Sequence, residues 1–519
     1  MTTRPVFRAS LLLASTLLAG CATGPTHDSR VGVTMAAASQ GNLDSALNQI
    51  DNHVAGADKA DLLLNLEKGE LLRIGGHYRD SLTAFELADR KVAAWEETAK
   101  SNPAMLMGQV TALFAGDAAR TYEGQDYEKV MLTTRMALDR ISLGDLDTAR
   151  VDIKRTHERE AVIAAFRARE TAAAEQEARD KGVQPGTREL NGYPVETLND
   201  PEVLKLRNGY QNALSHYLAG FVYEALNEPG LAAPGYRKAI ELRPDLPVLE
   251  EGLRGLDGRT GFRHKPGATD VLFIIESGNA PARLSQKASF AVQTRKGLIN
   301  VSLAFPVIYP DRNAQEIGRI EVDDIVLPTA LVTDFNVMAR KALKDELPGM
   351  QLRSAARALG RGLLQDQANK TLGAFAGLVG NLVATATDVA ADDRLWRALP
   401  GRVFIARAAI APGSHSLRVP GQPDGSMQLD VRGRTMLVPV RVFRNKTYFG
   451  KPVVFGDSGV MAAGAVGPAM PAVPAVPALQ AAPIVPVATV KPAGPAVVVQ
   501  RSTLSTLPTE PNSGLFPPR

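Results

Sequence analysis

The sequence predicts an α+β multidomain protein: an N-terminal α-solenoid, an antiparallel β domain with a helical insertion, and a disordered Pro/Ala-rich tail. Three observations predict this fold class. The helical zone at residues 37–260 contains an internal repeat, short alternating apolar segments fall within residues 268–455, and residues 460–519 are of low complexity. Repeated helix pairs must stack, because one pair alone cannot bury its apolar face.

Residues 1–20 are organised like a bacterial signal peptide. Arg4 and Arg8 supply positive charge, residues 9–18 are almost entirely apolar, and the sequence LAGC follows at residues 18–21. An apolar run of about ten residues is too short to cross a bilayer core and is typical of a signal peptide. The LAGC ending resembles the lipobox of bacterial lipoproteins, in which the cysteine is lipidated and becomes the first residue of the mature chain.

This resemblance implies a lipid on Cys21 and a lipidated tether over residues 21–36. Cys21 is the only cysteine in the chain, which excludes an intramolecular disulfide and a cysteine-based metal site. Ala22 rather than aspartate follows it, and in enteric lipoproteins this implies sorting to the outer membrane. We therefore expect a lipid anchor at the periplasmic face of the outer membrane, with inner-membrane anchoring or surface exposure as alternatives.

The overall composition argues against two classes of ligand, nucleic acids and sugars. The 519 residues include 59 basic and 55 acidic side chains, for a net charge of +4. Such a near-balanced chain lacks the basic surface that nucleic-acid binding requires. Only 5% of the residues are aromatic, which argues against a tryptophan-rich cleft for sugars.

The clearest copy of the internal repeat spans residues 213–245. Its spaced small and aromatic residues are Gly220, Tyr223, Ala232, Tyr236, Ala239 and Pro244. This spacing resembles the tetratricopeptide repeat. The resemblance implies that Gly220 and Ala232 allow close helix approach, that Tyr236 fills the gap between repeats and that Pro244 closes the unit.

A second copy repeats the first five of these positions with Gly69, Leu72, Ser81, Phe85 and Ala88. Partial copies are marked by Gly41 and Gly144, and the distance from Gly41 to Gly76 is close to the ~34-residue period of the repeat. The alternative is an ordinary helical bundle whose small residues recur by chance. A repeat stack would present a concave groove, which we expect to bind envelope proteins or peptides.

Residues 268–455 are predicted to form the β domain, with strands at 271–276, 299–305 and 437–443 among others. A helical block over residues 329–391 separates them. Its end, residues 372–391, is small and apolar and contains two glycines in GxxxG spacing, which favours helix pairing in a bilayer. Polar residues interrupt this segment, so a buried helix packed on the sheet is favoured over a membrane-inserted one.

The order of the segments resembles one family. AGFVYEALNEPGLAAPGYRKAIELRP is followed by VLFIIESGNAPAR, then GLINVSLAFPVIYP, then DDRLWRALPGRVFIARAAIAPGSHSLRV. This order resembles uncharacterised bacterial outer-membrane lipoproteins with tetratricopeptide-like repeats and a C-terminal β-rich domain. The resemblance covers roughly residues 37–450. It implies a fold and an outer-membrane address, and it supplies no activity and no functional residues.

No catalytic, metal or cofactor site is predicted. The seven histidines are scattered and form no HExxH motif, and the chain has neither a phosphate-binding loop nor a dinucleotide fingerprint. The sequence GDSG at 456–459 resembles the nucleophile segment of chymotrypsin-like proteases. That site also needs a histidine base and an aspartate, so Ser458 is interpreted as part of a hinge. The acid pairs Asp323-Asp324 and Asp392-Asp393 are interpreted as strand-end or helix-capping residues.

The tail at residues 460–519 has the proline density that favours an extended, polyproline-type chain. We favour a disordered tail that binds nothing. The alternative is a tail that contacts peptidoglycan or a partner. Taken together, the sequence predicts a non-enzymatic protein–protein interaction scaffold in envelope assembly, secretion or cell-wall maintenance. The alternatives are a membrane-active or export-accessory component that uses helix 372–391, and an envelope hydrolase.

Overall fold

An N-terminal helical region and later sheets make up the part of the chain that the computed structural model describes. That part comprises residues 27–56, 61–109, 121–180, 191–257, 267–294, 297–372 and 391–456. The predicted succession of a helical region and sheets is confirmed. The calls on Cys21 and the signal peptide, on residues 373–390, on Ser458 and on the tail lie outside the described residues.

The helices lie mostly before residue 255. Within the described residues they are α1 His27–Ser39, α2 Leu43–Ala55, α3 Leu62–Ile74, α4 Tyr78–Ser101, α5 Pro103–Gln109, α6 Asp126–Leu143, α7 Leu146–Asp180, α8 Pro201–Lys205, α9 Ala213–Ala225, α10 Pro229–Leu242, α11 Pro247–Arg254 and, after the first strands, α12 Phe335–Leu372.

Eight of these helices form four helix–turn–helix pairs: α1–α2, α3–α4, α6–α7 and α9–α10. Each turn contains one residue with positive φ, namely Gly41, Gly76, Gly144 and Asn227. In each turn the following N–H donates to the carbonyl five positions earlier, as His77 does to Leu72 over 2.9 Å. This is the Schellman arrangement, in which glycine or asparagine ends a helix in the left-handed conformation. The four turns are therefore built alike.

The first pair corrects one expectation. The sequence predicts a tether over residues 21–36, whereas α1 begins at His27. Val31, Met35 and Ala38 of α1 are buried, and they join the main apolar core with residues of α2. This packing stabilises the helix. The small and polar residues of the segment do not predict such packing from the sequence.

Twelve strands are present within the described residues. They are β1 Thr269–Ser277, β2 Ala282–Thr294, β3 Gly297–Tyr309, β4 Arg319–Val322, β5 Ile325–Pro328, β6 Ala330–Asp334, β7 Arg402–Ile410, β8 Gly413–Arg418, β9 Ser426–Val431, β10 Thr435–Val442, β11 Thr447–Phe449 and β12 Val453–Phe455. β2 and β3 form a separate hairpin, and β5-β4-β8-β9 form a small sheet.

The largest sheet is mixed, so the prediction of an antiparallel β domain is wrong in this respect. Its order is β11-β10-β1-β7-β6, with β12 also on β10. β1 runs antiparallel to β7 but parallel to β10, with Asp270 opposite Thr435. Alternation of apolar residues indicates strands without indicating their direction, because the side-chain period of two is the same in both kinds of pairing.

β1 is buried along its whole length, because it is covered on both faces. Leu272 and Ile274 face the core shared with the helices. Val271, Phe273 and Ile275 face a second core shared with the small sheet. The central sheet is thus the middle of three layers, and all described residues belong to one compact unit.

The helical block predicted from residue 329 begins instead with strand β6. The chain pairs with β7 through Ala330–Asp334 before α12 starts at Phe335. The Asp334 carboxylate accepts hydrogen bonds from the backbone N–H groups of Asn336 and Val337, at 2.9 and 3.1 Å. An aspartate in this place satisfies free donors of the first helical turn, which fixes the change from strand to helix.

Candidate functional site

The predicted repeat positions meet in pairs at the helix crossings. A Cβ atom on Gly69 would lie 2.4 Å from the Phe85 ring, and one on Gly220 would lie 2.6 Å from the Tyr236 ring. Glycine thus faces an aromatic ring in both copies. Of the other positions, Leu72, Ser81, Ala88, Ala232 and Ala239 are buried, Tyr223 is half-buried, and Pro244 lines a cleft described below.

A buried ionic cluster joins the helices to the central sheet. Arg73 of α3 approaches both carboxylate oxygens of Glu276 on β1, at 3.1 and 3.0 Å. Arg135 of α6 binds the same carboxylate and lies 3.1 Å from Glu70 of α3. Arg441 of β10 lies 3.5 Å from Glu276 and 3.6 Å from Glu70. Sequence analysis missed this cluster, because its members lie far apart in the chain.

Burial and the neighbouring charges shift the pKa of Glu276 and of Arg441. Burial alone would raise the pKa of Glu276, but Arg135, Arg73 and Arg441 lower it to about 2. Burial together with the adjoining arginines lowers the pKa of Arg441 to about 10. The Glu276 carboxylate is therefore ionised at neutral pH and holds arginines from three different elements.

Asp139 borders this cluster on α6. Burial raises its pKa to about 7, against the opposing effects of Arg73 and Ser81. The Ser81 hydroxyl lies 2.8 Å from the Gly69 carbonyl and 2.6 Å from the Asp139 carboxyl group. One hydroxyl has a single hydrogen to donate, so a protonated Asp139 that donates to Ser81 satisfies both contacts.

Two buried carboxylates of the helices hold the segment that precedes β7. Glu67 of α3 accepts hydrogen bonds from the backbone N–H groups of Arg397 and Ala398, each at 2.7 Å. Glu128 of α6 accepts one from the N–H of Trp396, also at 2.7 Å. The Trp396 ring is fully buried and meets Phe85 edge-on, with ring centroids 5.7 Å apart.

The fourth helix pair is tied to the sheet by Arg407 of β7. Its guanidinium lies 2.9 Å from Glu224 of α9 and 2.5 Å from Asp270 of β1. It also donates to the hydroxyl groups of Tyr217 and Tyr236, at 3.2 and 2.8 Å. Burial alone would lower the pKa of Arg407, but these neighbours raise it well above its usual value.

These contacts show what covers the inner surface of the helix pairs. The first helices of three pairs, α3, α6 and α9, direct charged side chains at β1, β7, β10 and residues 396–398. The sequence predicts that the groove of the repeats binds another protein. In the structure, side chains of this surface contact the chain's own sheet.

A cleft of about 520 Å³ lies between the fourth helix pair and strand β6. Leu331 and Thr333 of β6 line one side of it, and Pro244, after α10, lines another. β6 is the last strand of its sheet, so one of its edges is not paired with a strand of that sheet. Volumes of ~300–1,000 Å³ are typical of pockets that hold ligands.

Most of the charged side chains at this cleft form ion pairs. Arg340 lies 2.9 Å from Asp200, and Arg402 lies 3.0 Å from Asp334. Arg402 also lies 3.2 Å from Glu316. Most of the charge at the cleft is therefore already compensated within the chain.

The acid pairs considered for catalysis have structural contacts. Asp323, in the turn between β4 and β5, has a positive φ of 50° and binds His415 at 2.7 Å and the Ser416 N–H at 2.7 Å. The hydrogen bond from the Ser416 N–H, followed by the hydrogen bond with His415, lowers the pKa of Asp323. Asp392 pairs with Arg394 at 2.7 Å. Both aspartates are thereby engaged in fixing local backbone.

Two of the histidines that look scattered in the sequence meet in space. His157 Nε2 of α7 lies 3.1 Å from His216 Nδ1 of α9, and Glu160 lies 3.1 Å from His216 Nε2. Burial, followed by the charge of His216, lowers the pKa of His157. The described residues contain no group of three histidine, cysteine, aspartate or glutamate side chains placed to hold a metal ion.

Comparisons with known proteins add little to this geometry. No family model matches the chain, and no curated protein matches it. A crystal structure of a tetratricopeptide repeat protein from Parabacteroides merdae is similar over 44% of this chain and 97% of its own, with 13% identity and a TM-score of 0.13. Across the described residues, no helix has the length and hydropathy needed to cross a membrane.

Proposed function

We propose that the protein is a non-enzymatic interaction scaffold, anchored to the outer membrane through a lipid on Cys21 and facing the periplasm. The lipobox supports the anchor. The engagement of the buried carboxylates and arginines in ion pairs between helices and sheet supports a rigid structural role for them. On this proposal the partner is another protein of the cell envelope, in assembly, secretion or cell-wall maintenance.

The single observation that carries the binding role is that β6, the last strand of its sheet, lines the cleft. Edge strands present backbone N–H and C=O groups that can pair with an additional strand. Peptides are recognised in this way when an extended segment adds to a sheet and places alternate side chains in pockets. Because most of the charges at the cleft already pair, we propose an extended, largely uncharged segment of the partner as the occupant.

The test is site-specific photocrosslinking in intact cells. A photoreactive amino acid replaces Arg207, which lines the cleft and whose side chain is exposed. The matched control carries the same amino acid at Val151 of α7, which is 53% exposed and does not line the cleft. We expect a discrete crosslinked protein, identified by mass spectrometry, from the Arg207 position alone.

A second experiment tests the lipid anchor separately from the cleft. The Cys21→Ala variant should leave the membrane fraction, whereas the Arg207 position should still crosslink when the partner is mixed with purified protein. Equal crosslinking from Arg207 and Val151, or none from either, would contradict the proposed binding surface. Retention of Cys21→Ala in the membrane fraction would contradict the proposed anchor.

A further inference from the structure

The pair His157 and His216 serves neither the helix–sheet junction nor the cleft. The two residues are 59 positions apart in the chain, and their rings meet between α7 and α9 with centroids 4.7 Å apart. His216 is 1% exposed, whereas His157 is exposed. The pair is therefore reachable from solvent on one side.

The outer nitrogen of each ring is bound to a group that can only accept a hydrogen bond. His157 Nδ1 lies 3.1 Å from the carbonyl oxygen of Ile153, and His216 Nε2 lies 3.1 Å from the carboxylate of Glu160. Donation to a carbonyl oxygen and to an ionised carboxylate places the hydrogen on both outer nitrogens. A neutral imidazole has one N–H and one lone pair, so the two inner nitrogens face each other with lone pairs.

Two lone pairs 3.1 Å apart repel each other unless a cation lies between them. A shared proton is one such cation, and it requires one of the two rings to be an imidazolium. A metal ion is the other. Neutral imidazole nitrogen is a ligand that zinc, copper and nickel favour.

The spacing of the nitrogens suits a metal ion. Zinc–nitrogen bonds of about 2.0–2.1 Å in tetrahedral geometry place two ligand nitrogens roughly 3.4 Å apart. The observed separation is 3.1 Å, so only a small movement of the exposed His157 ring is needed.

Glu160 completes the arrangement. Metal-bound histidines usually donate their second N–H to a carboxylate or carbonyl, which fixes the tautomer and orients the ring. Here Glu160 does so for His216 and Ile153 for His157. Gln211 in turn donates to the other oxygen of Glu160, at 2.9 Å, and so holds the carboxylate in place.

We propose that His157 Nε2 and His216 Nδ1 bind one transition-metal dication of the zinc and copper class, with Glu160 as the positioning residue. The remaining coordination positions accept water or a donor group from a partner protein. The ion ties α7 of the third helix pair to α9 of the fourth. His157, His216 and Glu160 do not line the cleft, so either proposal can fail without the other.

The test uses purified, tag-free protein stripped with a chelator and titrated with Cu²⁺ and Zn²⁺ at pH 7.5. Calorimetry should give one bound ion per chain, and the ion should raise the unfolding temperature because it binds the folded state. His157→Ala should abolish both effects, and Glu160→Gln should weaken binding by about 10–100-fold. His415→Ala, which alters a histidine bound to Asp323, should bind like the wild type.

Because His157 is exposed, the alanine variant is expected to fold, and its circular dichroism spectrum checks this. Wild-type affinity and stoichiometry in His157→Ala would overturn the proposal. Failure of the wild type to bind either ion would also overturn it. In that case NMR titration of the imidazoles should detect the shared proton as the cation between the two rings.

Discussion

Arg73 Nη2 lies 3.0 Å from Glu276 Oε2, although the two residues are 203 positions apart in the chain. This ion pair connects the second helix pair to the central strand of the main sheet. Arg135 reaches the same carboxylate from the third pair, and Arg441 reaches it from β10. One carboxylate therefore fixes the mutual positions of four elements.

Replacement of Glu276 by glutamine should strongly destabilise the protein. The variant leaves three buried arginines near Glu70 without their main counter-charge, and breaking a buried ion pair on one side costs about 3–5 kcal/mol. The free energy of unfolding from urea denaturation measures this loss. Glu86→Gln is the matched control, because Glu86 is exposed and pairs with Arg140 at the surface. The control should change stability by less than about 1 kcal/mol, and equal losses in both variants would contradict the assigned role.

Asp139→Asn should change the pH dependence of stability. The pKa of Asp139 is about 7 in the fold, against 3.8 for the ordinary side chain. Between these values the folded state binds more protons than the unfolded state, so wild-type stability falls as pH rises from about 4 to about 7. Asparagine can donate to Ser81 at every pH and removes this dependence, which amounts to roughly 4 kcal/mol over the interval. Unfolding measured at pH 4 to 8 checks the prediction, and parallel pH profiles for the two proteins would refute it.

Trp396→Ala should cost about 3–5 kcal/mol of unfolding free energy, as is usual for removal of a buried aromatic ring. Trp396→Phe should cost far less. Phenylalanine retains edge-on contact with Phe85, and the Trp396 Nε1 has no hydrogen-bond partner among the described residues. Chemical denaturation distinguishes the two variants. Similar losses in both would indicate that the ring packing with Phe85 is unimportant.

Gly69→Ala should destabilise the second helix pair by about 1–3 kcal/mol, because the added methyl group overlaps the Phe85 ring. Gly32→Ala is the control on α1, where a Cβ meets no atom within 4 Å. Within a helix, alanine at such an open position should stabilise by about 0.5–1 kcal/mol. Thermal unfolding of the two variants should therefore shift in opposite directions. A common direction would argue against the close crossing of α3 and α4.

The local part of the fold was predictable from the sequence. Gly41, Gly76 and Gly144 mark turns because few other residues adopt the left-handed conformation there. The fourth turn uses Asn227, which also adopts positive φ. In both repeat copies a glycine on the first helix faces an aromatic ring on the second. Such a pair indicates where the two helices cross, because the ring occupies the space that a side chain at the glycine position would fill.

The contacts between residues far apart in the chain were not predictable from the sequence. Glu67, Glu70 and Arg73 recur at helical spacing, and such a charged face usually indicates solvent contact. Here their partners come from β1, β10 and residues 396–398, which no short-range pattern relates to α3. The parallel pairing of β1 with β10 and the cleft beside β6 depend on the same long-range assembly.

The position of β1 in the main sheet has a consequence for biogenesis. Both strands that flank β1 follow it by more than a hundred residues, since β7 begins at Arg402 and β10 at Thr435. A chain synthesised from its N-terminus therefore presents the helix pairs and β1 while Glu70 and Glu276 still lack Arg441. Until the last strands are made, this charged face lacks the cover that the finished sheet gives it, and the main sheet can be completed only after β10 has been made.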